Sequence, residues 1–374
     1  MTHVNPRTTL KIVGVVVAAT MVVAACSGGA TPSPSAAAAS SAPAASIAPA
    51  ASSAPAASSA PAASSGGAAG APLFVAINKS ADQQYFIDQQ TAFKAEIEAK
   101  GGQVKLYNAK LDANTGISEV NDAISAGAKG IAITVPDQTI GPAVAKAAAD
   151  AKVALVATDD AIKDSTGTAI PFVGFSGTDM GNKVGDEAAT LVATAGWLKD
   201  SAKKVGVLSA EVQTLSVCND RTTAEKAKIQ AAGAANVYPV PYTGEIAAAQ
   251  AAAGPIITAH PDITNWVVFA CNDEGVQGTV NALATAGVSN ANIIAVGLGA
   301  YQACKPWAAK QDSPWKAALF ISGLDVGKAS ADALWAAVTN GTPLPASTIA
   351  NTTIVDPTNY ATVMDKTSVA NCSK

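Results

Sequence analysis

From Pro72 onward the chain repeats one unit: a short apolar run with almost no polar alternation, a helix-length stretch, and a stop. A run such as Val153, Ala154, Leu155, Val156 and Ala157 leaves no face for water, so it belongs in a strand covered on both sides, as in a parallel sheet between helix layers. Read this way, strands lie over 73–77, 104–107, 130–135 and 153–158, with helices over 84–100, 117–126 and 140–151 between them. These are βαβ crossovers in succession, which imply a mainly parallel sheet with helices on both faces. The rhythm breaks over 171–178, which carries Gly174 and Gly177 and reads without a helix. A second series follows, with helices over 180–197, 222–232, 247–259, 274–286 and 300–310 and strands over 205–209, 237–240, 266–270 and 293–296. The last group, a strand over 317–321, a helix over 326–339 and a strand over 348–355, fits a chain that returns to the first lobe and crosses back. The expected fold class is therefore α/β, two doubly wound parallel-sheet lobes joined by a three-segment hinge. The first lobe is expected over 73–173 and 322–350, the second over 174–321 and 351–374.

The segment before Pro72 has a different character. Residues 1–7 carry a little positive charge and 12–25 are apolar, too short a run for a mature membrane-spanning helix, which is the layout of a secretory signal over 1–25. It ends at Val23-Ala24-Ala25-Cys26, a sequence that resembles a bacterial lipobox and marks Cys26 as the lipidated first residue of the mature chain. Residues 26–72 then contain Ala, Ser, Pro and Gly with no charge, and Pro43, Pro49, Pro55 and Pro61 recur too often for a helix. Such a composition cannot bury enough surface to offset chain entropy, so it reads as an extended tether. The expected location is extracytoplasmic, with the folded part anchored to the cell membrane through Cys26.

The formal net charge of −4 comes without a basic arm or a Lys/Arg cluster, which argues against nucleic acid as a partner. Apart from Cys26, the cysteines are Cys218, Cys271, Cys304 and Cys372, an even number in a compartment that permits disulfides, and none has metal-finger spacing. Three pairings are open; Cys304 with Cys372 would tether the C-terminus, and Cys218 with Cys271 would join two neighbouring strand ends. No metal or cofactor is called for.

In open parallel sheets, ligands bind beyond the carboxyl ends of the strands. The apolar run over 153–158 stops on Asp159 and Asp160, which either bind there or cap the next turn. Lys79 follows the first strand, and Asn272 follows the buried run over 266–270.

Four stretches carry a resemblance to the type I periplasmic binding proteins of sugar ABC transporters, most of all to the L-arabinose-binding proteins. They are Ile77-Asn78-Lys79 before Tyr85-Phe86; Ala126-Gly127-Ala128-Lys129-Gly130 through Val135-Pro136-Asp137 to Asp159-Asp160; Arg221-Thr222-Thr223; and Asn272-Asp273. The resemblance covers nearly everything after Pro72 and implies a monosaccharide held between the lobes. A neutral sugar both donates and accepts, so carboxylates, amides and cations in a dry cleft suit it. By the resemblance, Lys79 reaches the sugar and Asp159 and Asp160 accept from its hydroxyls, with Asp160 the stronger candidate of the two. Arg221 is read as opening a second-lobe helix, where the helix dipole disfavours a cation, so that it reaches into the cleft instead. Asn272 both donates and accepts, with Asp273 the better helix cap, and Tyr85 is the platform for the apolar sugar face.

The chain also departs from the arabinose-binding pattern. Gln83 stands where the family has an acidic residue, Gly299 where it has an asparagine, with Tyr301 and Gln302 close by, and Cys271 where it has a methionine. These changes reshape one wall, so the expected ligand widens to an arabinose-like pentose, xylose or a hexose such as galactose.

The expected partners are the sugar, an ABC permease and its cytoplasmic ATPase, with the chain a monomer. The alternative is a sensor component that signals to a histidine kinase or chemoreceptor. Enzyme activity is not expected: adjacent carboxylates at one strand end cannot flank a scissile bond, and Gly174-Phe175-Ser176-Gly177 is not a nucleophile elbow.

Overall fold

The computed structural model describes residues 70–374; the signal segment 1–25, Cys26 and the tether up to residue 69 lie outside the described residues. In chain order the first elements are β1 (Leu73–Asn78), α1 (Gln84–Ala99), β2 (Gln103–Asn108), α2 (Ala113–Ser125), β3 (Gly130–Ile133), α3 (Gly141–Asp150), β4 (Ala154–Thr158) and β5 (Phe172–Gly174). Next come α4 (Gly177–Thr194), β6 (Val205–Glu211), α5 (Ser216–Ala231), β7 (Asn236–Pro241), α6 (Ile246–Ala259), β8 (Asn265–Ala270), α7 (Asp273–Thr285) and β9 (Ile293–Gly299). The last part comprises α8 (Cys304–Ala308), β10 (Trp315–Ile321), α9 (Gly323–Asn340), β11 (Ser347–Ile349), β12 (Thr352–Val355), α10 (Tyr360–Val363) and α11 (Lys366–Asn371).

Two six-stranded sheets result, in the orders β11-β5-β4-β3-β1-β2 and β12-β10-β9-β8-β6-β7. Every pairing is parallel except β12 on β10, so the two sheets repeat one doubly wound topology. The central strands β3, β6, β8 and β9 are buried at every residue, as their unalternating sequences require. The edge strand β2 is exposed or half-buried throughout. Fully buried Trp266, Phe74 and Phe93 anchor the cores, each contributing roughly 2 kcal/mol through burial.

The chain passes between the sheets three times, at residues 175–176 after β5, at Ser322 after β10, and at 350–351 between β11 and β12. Apolar residues of both sheets, among them Phe74 and Val156 of the first and Val207 and Val296 of the second, belong to one continuous core. The expected α/β two-lobe fold class is the one observed.

Several local expectations change, the largest shift in a helix start being that of α5, which begins at Ser216 rather than 222. The stretch 171–178, read as lacking a helix, holds the three-residue strand β5, too short to show a period, and the first residues of α4, which starts at Gly177. The single strand expected over 348–355 is two strands in different sheets, because the chain changes sheets at 350–351. Helix α2 starts four residues earlier than expected, since the Asp112 side chain caps it by accepting from Thr115 N at 2.6 Å.

Helices approach closely where glycine permits. A Cβ on Gly181 of α4 would lie 2.1 Å from the Arg221 carbonyl of α5, and one on Gly327 of α9 would lie 2.1 Å from the Gln89 carbonyl of α1. The first contact seats the turn of α5 that carries Arg221. Two disulfides complete the second lobe, Cys218–Cys271 and Cys304–Cys372. The first joins α5 to the end of β8, and the second ties the C-terminal segment to α8.

Candidate functional site

Both sheets point the carboxyl ends of β1, β4, β6 and β8 toward one interlobe cavity of about 390 Å³. Its inner end is built by charged and aromatic side chains. Lys79, one residue past β1, is buried and lies 2.5 Å from Asp160 Oδ2 and 3.5 Å from Asp159 Oδ2, with its ammonium 5.2 Å from the Phe86 ring centre. From the second lobe, Arg221 Nη1 donates to the Cys271 carbonyl at 3.1 Å, and its Nη2 lies 3.6 Å from Asp159 Oδ1. Asp159 thus stands between a lysine of its own lobe and an arginine of the other. Its φ of +59° places it in the left-handed region, a strain that clusters at ligand clamps.

Several of these groups have hydrogen-bonding capacity the protein does not use. Tyr85 Oη, Asp159 Oδ1, and Nε and Nη2 of Arg221 are buried and have no hydrogen-bond partner among the described residues, Asp159 Oδ1 and Arg221 Nη2 facing each other at ion-pair distance only. Buried polar atoms are nearly always paired, so orphans of both donor and acceptor type on one cavity mark a ligand that does both. Burial, then the charge of Asp159, pushes the Tyr85 hydroxyl well above its ordinary range, so it stays a donor at neutral pH. Burial pushes the Asp160 carboxyl up to about 6, against the pull of Lys79.

The remaining expected residues sort as follows. Gln83 faces the cavity and donates from Nε2 to the Gly244 carbonyl across the lobes at 3.3 Å. Tyr85, the expected platform, and its neighbour Phe86 both line the cavity. Asp160 does not line it: the side chain is fully buried behind Lys79, so of the two carboxylates it is Asp159 that faces the cavity. Arg221 does not open its helix but sits in the second turn of α5, so the dipole argument does not apply; its direction follows from the Cys271 carbonyl and Asp159. Asn272, not Asp273, caps α7: its Oδ1 accepts from Gly275 N at 3.0 Å and from the Tyr242 hydroxyl at 2.5 Å, while its side chain also lines the cavity. Asp273 is buried and accepts from Gln302 N at 2.8 Å. Gly299 does not line the cavity either; its φ is +140°, and a Cβ there would meet the Tyr301 ring at 2.2 Å.

Tyr301 fills that wall and donates to Glu274 Oε2 at 2.7 Å. Burial pushes the Glu274 carboxyl up to about 7. Tyr242 is a cavity residue that the residue pattern did not single out; Tyr301 and the Cys218–Cys271 disulfide, expected only as features of the reshaped wall and as one open pairing, line the cavity too. Tyr242 lies directly after β7, so the strand-end rule extended to every strand would have found it. Among the described residues no group of three or more His, Cys, Asp and Glu side chains could hold a metal ion.

With this geometry in place, comparison with known proteins decides the family. A model described as a periplasmic binding protein domain matches residues 74–342, most of the chain. The chain belongs to the periplasmic binding protein family. The family binds solutes for ABC transporters outside the cytoplasm and is not enzymatic. A relative from Azospirillum brasilense, an ABC transporter L-arabinose-binding periplasmic protein, is 28% identical over 301 residues, 79% of this chain and 90% of that one. Solved periplasmic binding proteins share the fold. An ABC transporter solute-binding protein from Mycobacterium smegmatis with bound glycerol superposes with a TM-score of 0.66 at 22% identity, covering 79% of this chain and 98% of that one. A galactofuranose-binding protein superposes with a TM-score of 0.67 at 20% identity, covering 81% and 98%.

Proposed function

We propose that this periplasmic binding protein captures a neutral monosaccharide in the interlobe cavity and delivers it to an ABC importer. One observation carries the reading: donors on Arg221 and Tyr85 and an acceptor on Asp159, none with a hydrogen-bond partner among the described residues, converge on one buried cavity from both lobes. A net-anionic or cationic ligand would leave one of these charges uncompensated, whereas a polyol answers each with the same hydroxyls. The direct contacts are Lys79, Gln83, Tyr85, Asp159, Arg221 and Asn272. Asp160 acts behind Lys79 by holding its ammonium, and Gly299 makes room for Tyr301.

The lobes, 73–173 with 322–350 and 174–321 with 351–374, close on the sugar about the three connecting segments, and the closed form is what the permease and its ATPase engage. The monomer is held at the membrane by a lipid on Cys26, with residues 26–72 as spacer. The relative's printed ligand favours an arabinose-like pentose, with xylose and galactose the next candidates. A ligand that binds only the folded state raises the melting temperature, by about 2.7 kcal/mol of stabilisation at a hundredfold excess over its Kd. A thermal-shift panel of pentoses, hexoses and inositols should therefore yield at least one neutral monosaccharide with a clear upward shift. A panel in which only charged solutes or amino acids shift the transition contradicts the reading.

A further inference from the structure

The cavity extends beyond the ring of charged groups at its inner end. At close-packed density a monosaccharide of about a dozen heavy atoms displaces roughly 200 Å³, against a cavity of about 390 Å³. The lining includes the exposed Gln213 and Thr214, which mark where the cavity opens to solvent.

The mouth differs in chemistry from the inner end. Leu111, Ala113 and Pro136 line the cavity from the first lobe and Val212 and Leu215 from the second, an aliphatic collar with the carboxylates of Asp137 and Glu211 beside it. The backbone holds Leu111 in place: its N–H donates to the Lys79 carbonyl at 2.7 Å, and both Lys110 and Leu111 have left-handed φ, +54° and +56°. Two consecutive non-glycine residues in that region are a strain that persists only where the surroundings impose it, and such strain clusters at ligand clamps. Outside the collar, Gln213 and Thr214 offer an amide and a hydroxyl.

We propose that this outer end is a second sugar subsite, and that the preferred ligand is a disaccharide. This rests on the monosaccharide reading of the inner end and extends it. The inner unit sits in the ring of Lys79, Tyr85, Asp159 and Arg221. The outer unit lays its C–H face on the collar, burying apolar area, and turns its hydroxyls to Gln213 and Thr214. An amphipathic ring matches an aliphatic collar with a polar rim; an all-apolar substituent would leave the rim unanswered.

Calorimetry on the full chain tests this, using the monosaccharide that gives the largest thermal shift and the disaccharides that contain it, such as arabinobiose, xylobiose and galactobiose. At least one disaccharide should bind tenfold or more tighter than its monosaccharide. Leu111→Ala and Thr214→Ala should each remove severalfold of that gain and leave monosaccharide affinity within twofold, which also serves as the folding control. The proposal is overturned if the monosaccharide binds and every disaccharide binds equally or more weakly, or if the two substitutions weaken both ligands alike. If no sugar of either length binds, the monosaccharide reading fails and the outer subsite fails with it.

Discussion

At the residue scale, Asp159 and Asp160 are neighbours in the chain with opposite surroundings. Asp160 is fully buried with Lys79 Nζ at 2.5 Å, while Asp159 faces the cavity between Lys79 and Arg221. Removing one partner of a buried ion pair costs roughly 3–5 kcal/mol of stability, because the other charge is left uncompensated. Asp160→Asn should accordingly lower the melting temperature by several degrees and weaken sugar binding only secondarily, through a displaced Lys79. Asp159→Ala should act the other way, costing about 2–5 kcal/mol of affinity, with a smaller effect on melting. Thermal melts and calorimetry on the two variants check the pair, and equal effects of the two on affinity would refute the division of roles. Part of the candidate site was legible in the sequence because strand ends are legible: Lys79, Asp159 and Asn272 all follow apolar runs, whereas Gln83, Tyr85 and Arg221 were reached through the family resemblance. Which of two adjacent carboxylates faces inward was not, because that depends on the left-handed turn at Asp159 and on a lysine 81 positions away. Nor could the pattern show that Asn272 rather than Asp273 caps α7, since either side chain has the chemistry.

At the scale of elements, the site depends on how α5 is held against β8. Three constraints act on the same turn: Gly181 lets α4 approach the Arg221 backbone, Arg221 donates to the Cys271 carbonyl, and Cys218–Cys271 ties α5 to the strand end. The disulfide closes a loop of 53 residues, for which chain entropy gives a stabilisation on the order of 4 kcal/mol. The double substitution Cys218→Ala with Cys271→Ala should therefore lower stability by about 2–4 kcal/mol and weaken sugar binding at least tenfold. Cys304→Ala with Cys372→Ala, away from the cavity, should lower stability alone. Denaturant melts and calorimetry separate the two; sugar affinity unchanged by loss of Cys218–Cys271 would show that α5 is held without it. The elements legible in advance were the long buried ones. Short β5, and the division of 348–355 into β11 and β12, were hidden because three or four residues carry no measurable period and a change of sheet leaves no mark in hydrophobicity.

At the scale of the whole molecule, two copies of one sheet topology face each other, and the chain crosses between them three times through segments of one or two residues. Short connectors of this kind permit hinge closure. The contacts that span the cleft, Gln83 with Gly244 and Asp159 with Arg221, exist only when the lobes are together. A sugar that bridges the same groups binds the closed arrangement better and shifts the population toward it. The order of strands and helices made the two-lobe fold legible from the sequence; the cavity's length and its aliphatic collar were not, because they arise from loops far apart in the chain. Whether both lobes grip one neutral sugar is decided by calorimetric titration of the native protein and Arg221→Ala with the same sugar. The native protein should bind one sugar per chain, and loss of the second-lobe cation should weaken that binding by about 2–5 kcal/mol, at least thirtyfold. Equal affinity in a folded Arg221→Ala would contradict a grip by both lobes.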